Sequence, residues 1–254
     1  MPAMKNTLLT SFFLVSSALA STGDRVQVSN KDFPYICKIL IMRADVARVS
    51  SICTGTLISP NRVLTARHCK PKSPDQPVVV DCNGKLSPML DWSNYSTNEA
   101  ASDDIALISL AFPIQSDLMY LAKSRRHADE LLRRDECYIM GFGKKEIMEA
   151  PAPAEFNGVR LQQASFEILN LDPSFLRMFG EVTSKQFVVS GSHSIALKGD
   201  SGGPVLCRGA GGLYQVAVTS FGSRESYLDI RVWAPDFSAH PHIAPVLPWL
   251  RSKL

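Results

Sequence analysis

No helical hydrophobic period persists anywhere in this 254-residue chain, and no apolar run after residue 20 is long enough to span a bilayer. The first lack argues against helix bundles and regularly alternating strand and helix units. The second leaves no membrane contact once a leader is removed. Charge of one sign is also scarce: 27 Lys and Arg face 24 Asp and Glu, a formal +3 that becomes +2 if Lys5 leaves with the leader. A balance this near neutral argues neither for nor against nucleic acid. The densest cationic cluster, Lys123, Arg125, Arg126, Arg133 and Arg134, is interleaved with Asp129, Glu130, Asp135 and Glu136. It reads as a solvated surface segment, so no nucleic-acid partner is expected. Metal ligands are thin as well. His193 and the pair His240 and His242 do not make the three or four converging ligands a metal needs. The stretch from Asn83 to Ala100 lacks the clustered carboxylates of a calcium cage. These histidines are expected in loops or at the surface, with no metal and no cofactor.

What is present begins with a leader. Residues 1–20 carry one charge, Lys5, then the apolar run Leu8 to Ala20 ending Ala18-Leu19-Ala20, a short hydrophobic region with a small-x-small cleavage pattern. This predicts a signal peptide cleaved near Ala20, the alternative being a retained anchor. Residues 21–33 form an N-terminal segment, read as a short propeptide, and 34–254 form one domain. All six cysteines follow the leader: Cys37, Cys53, Cys69, Cys82, Cys137 and Cys207. An even count in an exported chain implies disulfides, and six cysteines admit fifteen pairings between which the sequence does not choose.

Short runs of strand character recur between Gly, Pro, Asn and Ser: Tyr35 to Met42, Ile52 to Ser59, Arg62 to Ala66, Val78 to Cys82 and Asp104 to Leu110. The second half continues with Cys137 to Phe142, Leu161 to Leu169, Phe187 to Ser190, Pro204 to Cys207, Tyr214 to Phe221 and Leu228 to Trp233. Such a pattern predicts an all-β sandwich or barrel. Two short helices are expected, one opening at Asp172-Pro173-Ser174 and one over about Ala244 to Lys253. Lys144 to Arg160, with Pro151-Ala152-Pro153-Ala154, reads as a long exposed loop open to nicking.

The stretch that carries chemistry is Gly199-Asp200-Ser201-Gly202-Gly203-Pro204. Its glycines suit a backbone that must approach another molecule, and it reads as a nucleophile turn. A serine hydroxyl needs an adjacent base, an acid to orient that base, and donors for a developing oxyanion. Leu64-Thr65-Ala66-Arg67-His68-Cys69 offers the histidine, and Asp104-Ile105-Ala106-Leu107-Ile108 offers the acid. Gly199, Ser201 and Gly203 also satisfy the Gly-x-Ser-x-Gly of an α/β-hydrolase elbow, which would recruit Asp229 or Asp236 and then His240 or His242. Against that stand the mere 53 residues after Ser201 and the absence of regular helices between upstream strands.

In the order His, Asp, Ser, with these local motifs, the chain resembles the chymotrypsin/trypsin-like serine peptidases over roughly residues 34–252. The resemblance implies two six-stranded antiparallel β-barrels, about 34–115 and 137–235, joined by a linker at 116–136, with the active site in the cleft between them and a short C-terminal helix. It implies His68 as general base, Asp104 as its orienting acid and Ser201 as nucleophile. The N–H groups of Gly199 and Ser201 would form the oxyanion hole. It also pairs Cys53 with Cys69 and Cys137 with Cys207, leaving Cys37 for Cys82. Substrate contacts fall on Ile195, Lys198, Ser220, Phe221, Gly222 and Tyr227. Ile195 occupies the pocket floor, where an apolar side chain would leave a buried lysine or arginine unpaired. A small or medium apolar residue before the scissile bond is therefore expected, Asp229 being the alternative source of a basic preference.

Several features depart from the family pattern. Arg67 replaces the usual alanine before the histidine, with its charge expected to point outward. Leu197 stands where a cysteine normally precedes the nucleophile, so the pocket lacks its cross-link. No Ile-Val-Gly-Gly is present to give an activating N-terminus beside Asp200. Cleavage after Arg25 or at the leader would supply a substitute ammonium, or Lys185, Lys198 or His193 would hold Asp200 internally. The expectation is a secreted, monomeric serine endopeptidase, extracellular or periplasmic, with polypeptide substrates and protein inhibitors as partners. A non-catalytic binding protein on the same scaffold is the rival.

Overall fold

The computed structural model describes residues 26–44, 48–96, 103–134, 136–143, 162–165, 187–190, 196–222 and 238–254. The turn at Asp172, the loop from Lys144 to Arg160 and the strand from Leu228 to Trp233 lie outside these residues. So do Lys185, His193, Ile195, Tyr227 and Asp229.

Strand β1 (Val26–Gln27) belongs to the second half of the fold, and the next six strands build the first. These are β2 (Ile36–Met42), β3 (Val49–Ser59), β4 (Arg62–Thr65), β5 (Val78–Cys82), β6 (Lys85–Asn94) and β7 (Ala106–Leu110). They close into an antiparallel barrel in the order β2-β3-β4-β7-β6-β5. Period-two alternation dictates which faces turn inward. Val78, Val80 and Cys82 are buried while Val79 and Asp81 are less so, and on β2 the residues Cys37, Ile39 and Ile41 fill the interior. Lys38, on the opposite face, lies 3.6 Å from Asp81 and 5.3 Å from the centre of the Phe142 ring. β6 is absent from the strands predicted by sequence because Pro88 interrupts it; the proline sits opposite Val79, beside a register shift between Met89 and Asp91.

The second half contains β8 (Tyr120–Leu121), β9 (Cys137–Gly141), β10 (Gln162–Ser165), β11 (Phe187–Ser190), β12 (Pro204–Gly209), β13 (Gly212–Val218), β14 (Phe221–Gly222) and β15 (Ser238–Pro241). Among the described residues these form a six-stranded sheet, β1-β10-β9-β12-β13-β8, and a three-stranded sheet, β11-β15-β14. An isolated bridge between Ala217 and His242 links the two. Disulfides join Cys37 to Cys82, Cys53 to Cys69 and Cys137 to Cys207. One apolar cluster runs through both halves, from Leu57 and Ile108 in the barrel to Val205, Val216 and Leu250 beyond it.

Two helices complete the described chain. The tail forms a 3-10 turn, Ala244–Val246, continuing into α2 (Leu247–Lys253), numbered after α1 (Arg125–Leu132). The charged cluster, read from sequence as a solvated surface segment, contains the helix α1, which that reading did not include. Ser124 caps it by accepting the His127 N–H at 3.1 Å, while Arg125 with Asp129 and Arg126 with Glu130 pair one turn apart. Ala128 and Leu131 anchor its inner face.

His240 and His242 also need correction: they are buried, at 0 % and 2 % exposure, rather than at the surface. His240 lies in β15 and His242 in the bridge to Ala217, so the sheet contact carries both rings inward. The His242 Nδ1 accepts the Ala244 N–H at 3.0 Å, which places its proton on Nε2, 4.0 Å from Asp129 Oδ1. Burial holds His240 down to about 3, and burial together with the Arg125 charge holds His242 down to about 4, against the opposing pull of Asp129. Unfolded, each would titrate near 6.5. Below that pH the unfolded chain takes up protons that the folded chain refuses, so stability is full above about pH 6.5 and falls as pH drops toward 4. The expected loss by pH 4.5 is on the order of 2 kcal/mol per histidine. Urea midpoints at pH 7.5 and 4.5 measure it; equal midpoints would contradict the burial argument, and His242→Gln should flatten part of the slope.

Candidate active site

His68 sits in a 3-10 turn, Arg67–Cys69, that follows β4, and the Cys53–Cys69 disulfide ties that turn to β3. Arg67 beside it is half-buried. Asp104, 4 % exposed, lies just before β7, which pairs with β4. The neighbouring strands therefore deliver acid and histidine to one place. Asp104 grips the histidine at two points: Oδ1 accepts the His68 backbone N–H at 2.8 Å, and Oδ2 lies 2.7 Å from Nδ1. The Ser220 hydroxyl donates to the same Oδ2 at 2.5 Å. Burial by itself would raise the Asp104 carboxyl, but the hydrogen bond and charge of His68, with the Ser220 hydroxyl, hold it below its ordinary value. An ionised Asp104 accepts Nδ1–H, so the neutral ring presents its Nε2 lone pair on the other side.

Ser201 occupies a turn whose backbone glycines alone permit. Gly199 has φ +104° and Gly202 φ +81°, the left-handed region. A Cβ on Gly202 would fall 2.0 Å from Thr65 Oγ1 and 2.4 Å from the Thr54 carbonyl. The Asp200 N–H donates to the Leu197 carbonyl at 2.9 Å, and the Gly203 N–H to the Asp200 carbonyl at 2.8 Å. The buried Asp200 carboxylate accepts the N–H of Gly143 on Oδ1 and of Leu197 on Oδ2, both at 2.8 Å. Gly143 makes room for it, since a Cβ there would lie 2.4 Å from Oδ2.

In the uncleaved chain Val26, the candidate for a substitute ammonium, lies in the edge strand β1, 61 % exposed and paired with Gln163 of β10. Lys198 is exposed beside the turn. Of the substrate contacts expected from sequence, Ser220, Phe221 and Gly222 follow β13, and β14 lies at the edge of the three-stranded sheet, paired only through Ala239 and Ser238 among the described residues. Ile195 and Tyr227 are outside the described residues. The one His and Cys donor cluster among the described residues is Cys53, His68 and Cys69, and both sulfurs are tied up in a disulfide. Sequence reasoning missed the hydroxyl of Ser220 and the two amides that hold Asp200. Ser220 and Gly143 reach their partners only through the fold, and the Leu197 N–H reaches Asp200 from three residues away.

A mostly β fold with a closed six-stranded barrel and a serine in a glycine turn defines a β-barrel serine hydrolase. The Trypsin family model matches residues 23–236, so the chain belongs to the trypsin family and is a serine endopeptidase. It is 30 % identical over 191 residues to chymotrypsin-C of Bos taurus, covering 67 % of this chain and 68 % of that one. Chymotrypsin-like elastase family member 3A of Homo sapiens is 27 % identical over 223 residues, 80 % of this chain and 78 % of its own. Proproteinase E of Bos taurus is 32 % identical over 189 residues, 66 % and 72 %. The family implies polypeptide substrates.

Proposed function

We propose that the chain is an exported endopeptidase that cleaves through an acyl-enzyme on Ser201. His68 Nε2 takes the Ser201 hydroxyl proton as Oγ bonds to the scissile carbonyl carbon. The resulting oxyanion is met by the N–H groups of Gly199 and Ser201. The same proton then passes from Nε2 to the leaving amine as the C–N bond breaks. Water, deprotonated by His68, next adds to the acyl carbon, and Nε2 returns that proton to Ser201 Oγ as the Oγ–acyl bond breaks and the carboxylic acid product leaves. The observation that carries this reading is the two-point hold of Asp104 on His68, which fixes the ring's tautomer and its direction.

Export is supported by the leader-like run Leu8 to Ala20 and by three disulfides, which persist in an oxidising compartment. Substrate binding is assigned to backbone pairing along Ser220 to Gly222, for which the edge position of β14 among the described residues is suited. The apolar Ile195, assigned to the pocket floor by the sequence resemblance, favours small or medium apolar side chains before the scissile bond. A panel of peptide amides differing only at that residue tests this. Ala, Val or Leu should exceed Arg in kcat/KM by about 100-fold; a preference for Arg would overturn the Ile195 assignment in favour of Asp229.

A further inference from the structure

One buried side chain of the first barrel reaches across to the turn that carries Ser201. Thr54, at 0 % exposure in β3, donates its hydroxyl proton to the Gly199 carbonyl at 2.7 Å, and the same oxygen accepts the Phe142 N–H at 3.1 Å. Its backbone N–H donates to the Ser201 carbonyl at 2.8 Å, and its carbonyl accepts the Thr65 hydroxyl at 2.9 Å. Thr54 thus holds both ends of Gly199-Asp200-Ser201.

The peptide plane between Gly199 and Asp200 is pinned on both sides. Its carbonyl is held by the Thr54 hydroxyl, and its N–H by the Leu197 carbonyl at 2.9 Å. The N–H groups of Gly199 and Ser201 belong to the planes immediately before and after it, so rotation of the middle plane would swing both. Leu197 stands where the family pattern would have a cross-linking cysteine, which leaves restraint of this turn to non-covalent contacts. We infer that Thr54 is a positioning residue for the oxyanion site, its hydroxyl setting the direction of the two donor amides from the opposite half of the fold. The inference rests on the proposed roles of Ser201 and Gly199. Transition-state donors act through fixed geometry, and small misplacements are costly.

The test compares Thr54→Val, which keeps the shape and deletes donor and acceptor, with Thr54→Ser, which keeps both. With rates normalised to active sites titrated by a fluorophosphonate, Thr54→Val should lower kcat on a peptide amide by about 10- to 100-fold with KM unchanged. Amide hydrogen exchange at Phe142 should quicken in the same variant. Thr54→Ser should restore both. A merely structural role would reduce the titratable fraction or the Tm and leave kcat per titrated site untouched. Wild-type kcat in Thr54→Val, or a loss that serine does not restore, would overturn the inference while leaving the assignment of Ser201 intact. A wild-type chain that takes no label would overturn that assignment and this inference with it.

Discussion

Ser201→Ala should lower kcat by about 10⁵- to 10⁶-fold while KM for a peptide amide and the Tm stay close to wild type. The covalent route depends on one oxygen, and deleting it leaves only the donor amides and substrate binding to assist direct attack by water. The fold should tolerate the change. The backbone anchors this turn: the Ser201 carbonyl accepts the Thr54 N–H, and the Gly203 N–H closes back onto the Asp200 carbonyl. Single-turnover kinetics at saturating substrate measure the loss. A residual activity within about 100-fold of wild type would place the nucleophile elsewhere.

Asp104→Asn should cost about 10⁴-fold in kcat through the histidine rather than through substrate binding. The carboxylate receives three donors: the His68 ring, the His68 backbone N–H and the Ser220 hydroxyl. An amide offers one acceptor oxygen and turns its NH₂ toward at least one of those donors. If the NH₂ faces Nδ1, the ring answers by carrying its proton on Nε2, where it can no longer accept from Ser201. The buried mismatch should also lower stability by about 1 to 3 kcal/mol. Proton NMR of the His68 ring separates the two effects, since loss of folding alone leaves the tautomer of the folded fraction unchanged. A kcat within tenfold of wild type, or an unchanged tautomer, would contradict this role.

The neighbourhood of His68 and Asp104 is written in two contiguous motifs because the strands that deliver them, β4 and β7, are neighbours and each residue falls close to a strand end. The glycine turn is legible for a similar reason, since few other roles call for so many small residues around one serine. Thr54 is not legible, and Ser220 is legible only as a substrate contact, not as a partner of Asp104. Each is an ordinary hydroxyl in a β-rich sequence, and only the fold gives it a partner. α1 is readable in principle from Ser124 and its paired charges one turn apart, but the same charges suit a solvated linker equally well. His240 and His242 look polar in isolation, and it is the pairing of β15 with β11 and β14 and the Ala217 bridge that turns them inward.

The most direct test is the intact mass of the leader-free protein before and after exposure to a fluorophosphonate, with Ser201→Ala alongside. The reagent phosphonylates an activated serine and presumes nothing about peptide specificity. A single adduct on the natural chain and none on the variant is the predicted result. The absence of an adduct on the natural chain, or an adduct that survives Ser201→Ala, would contradict an activated nucleophile at Ser201.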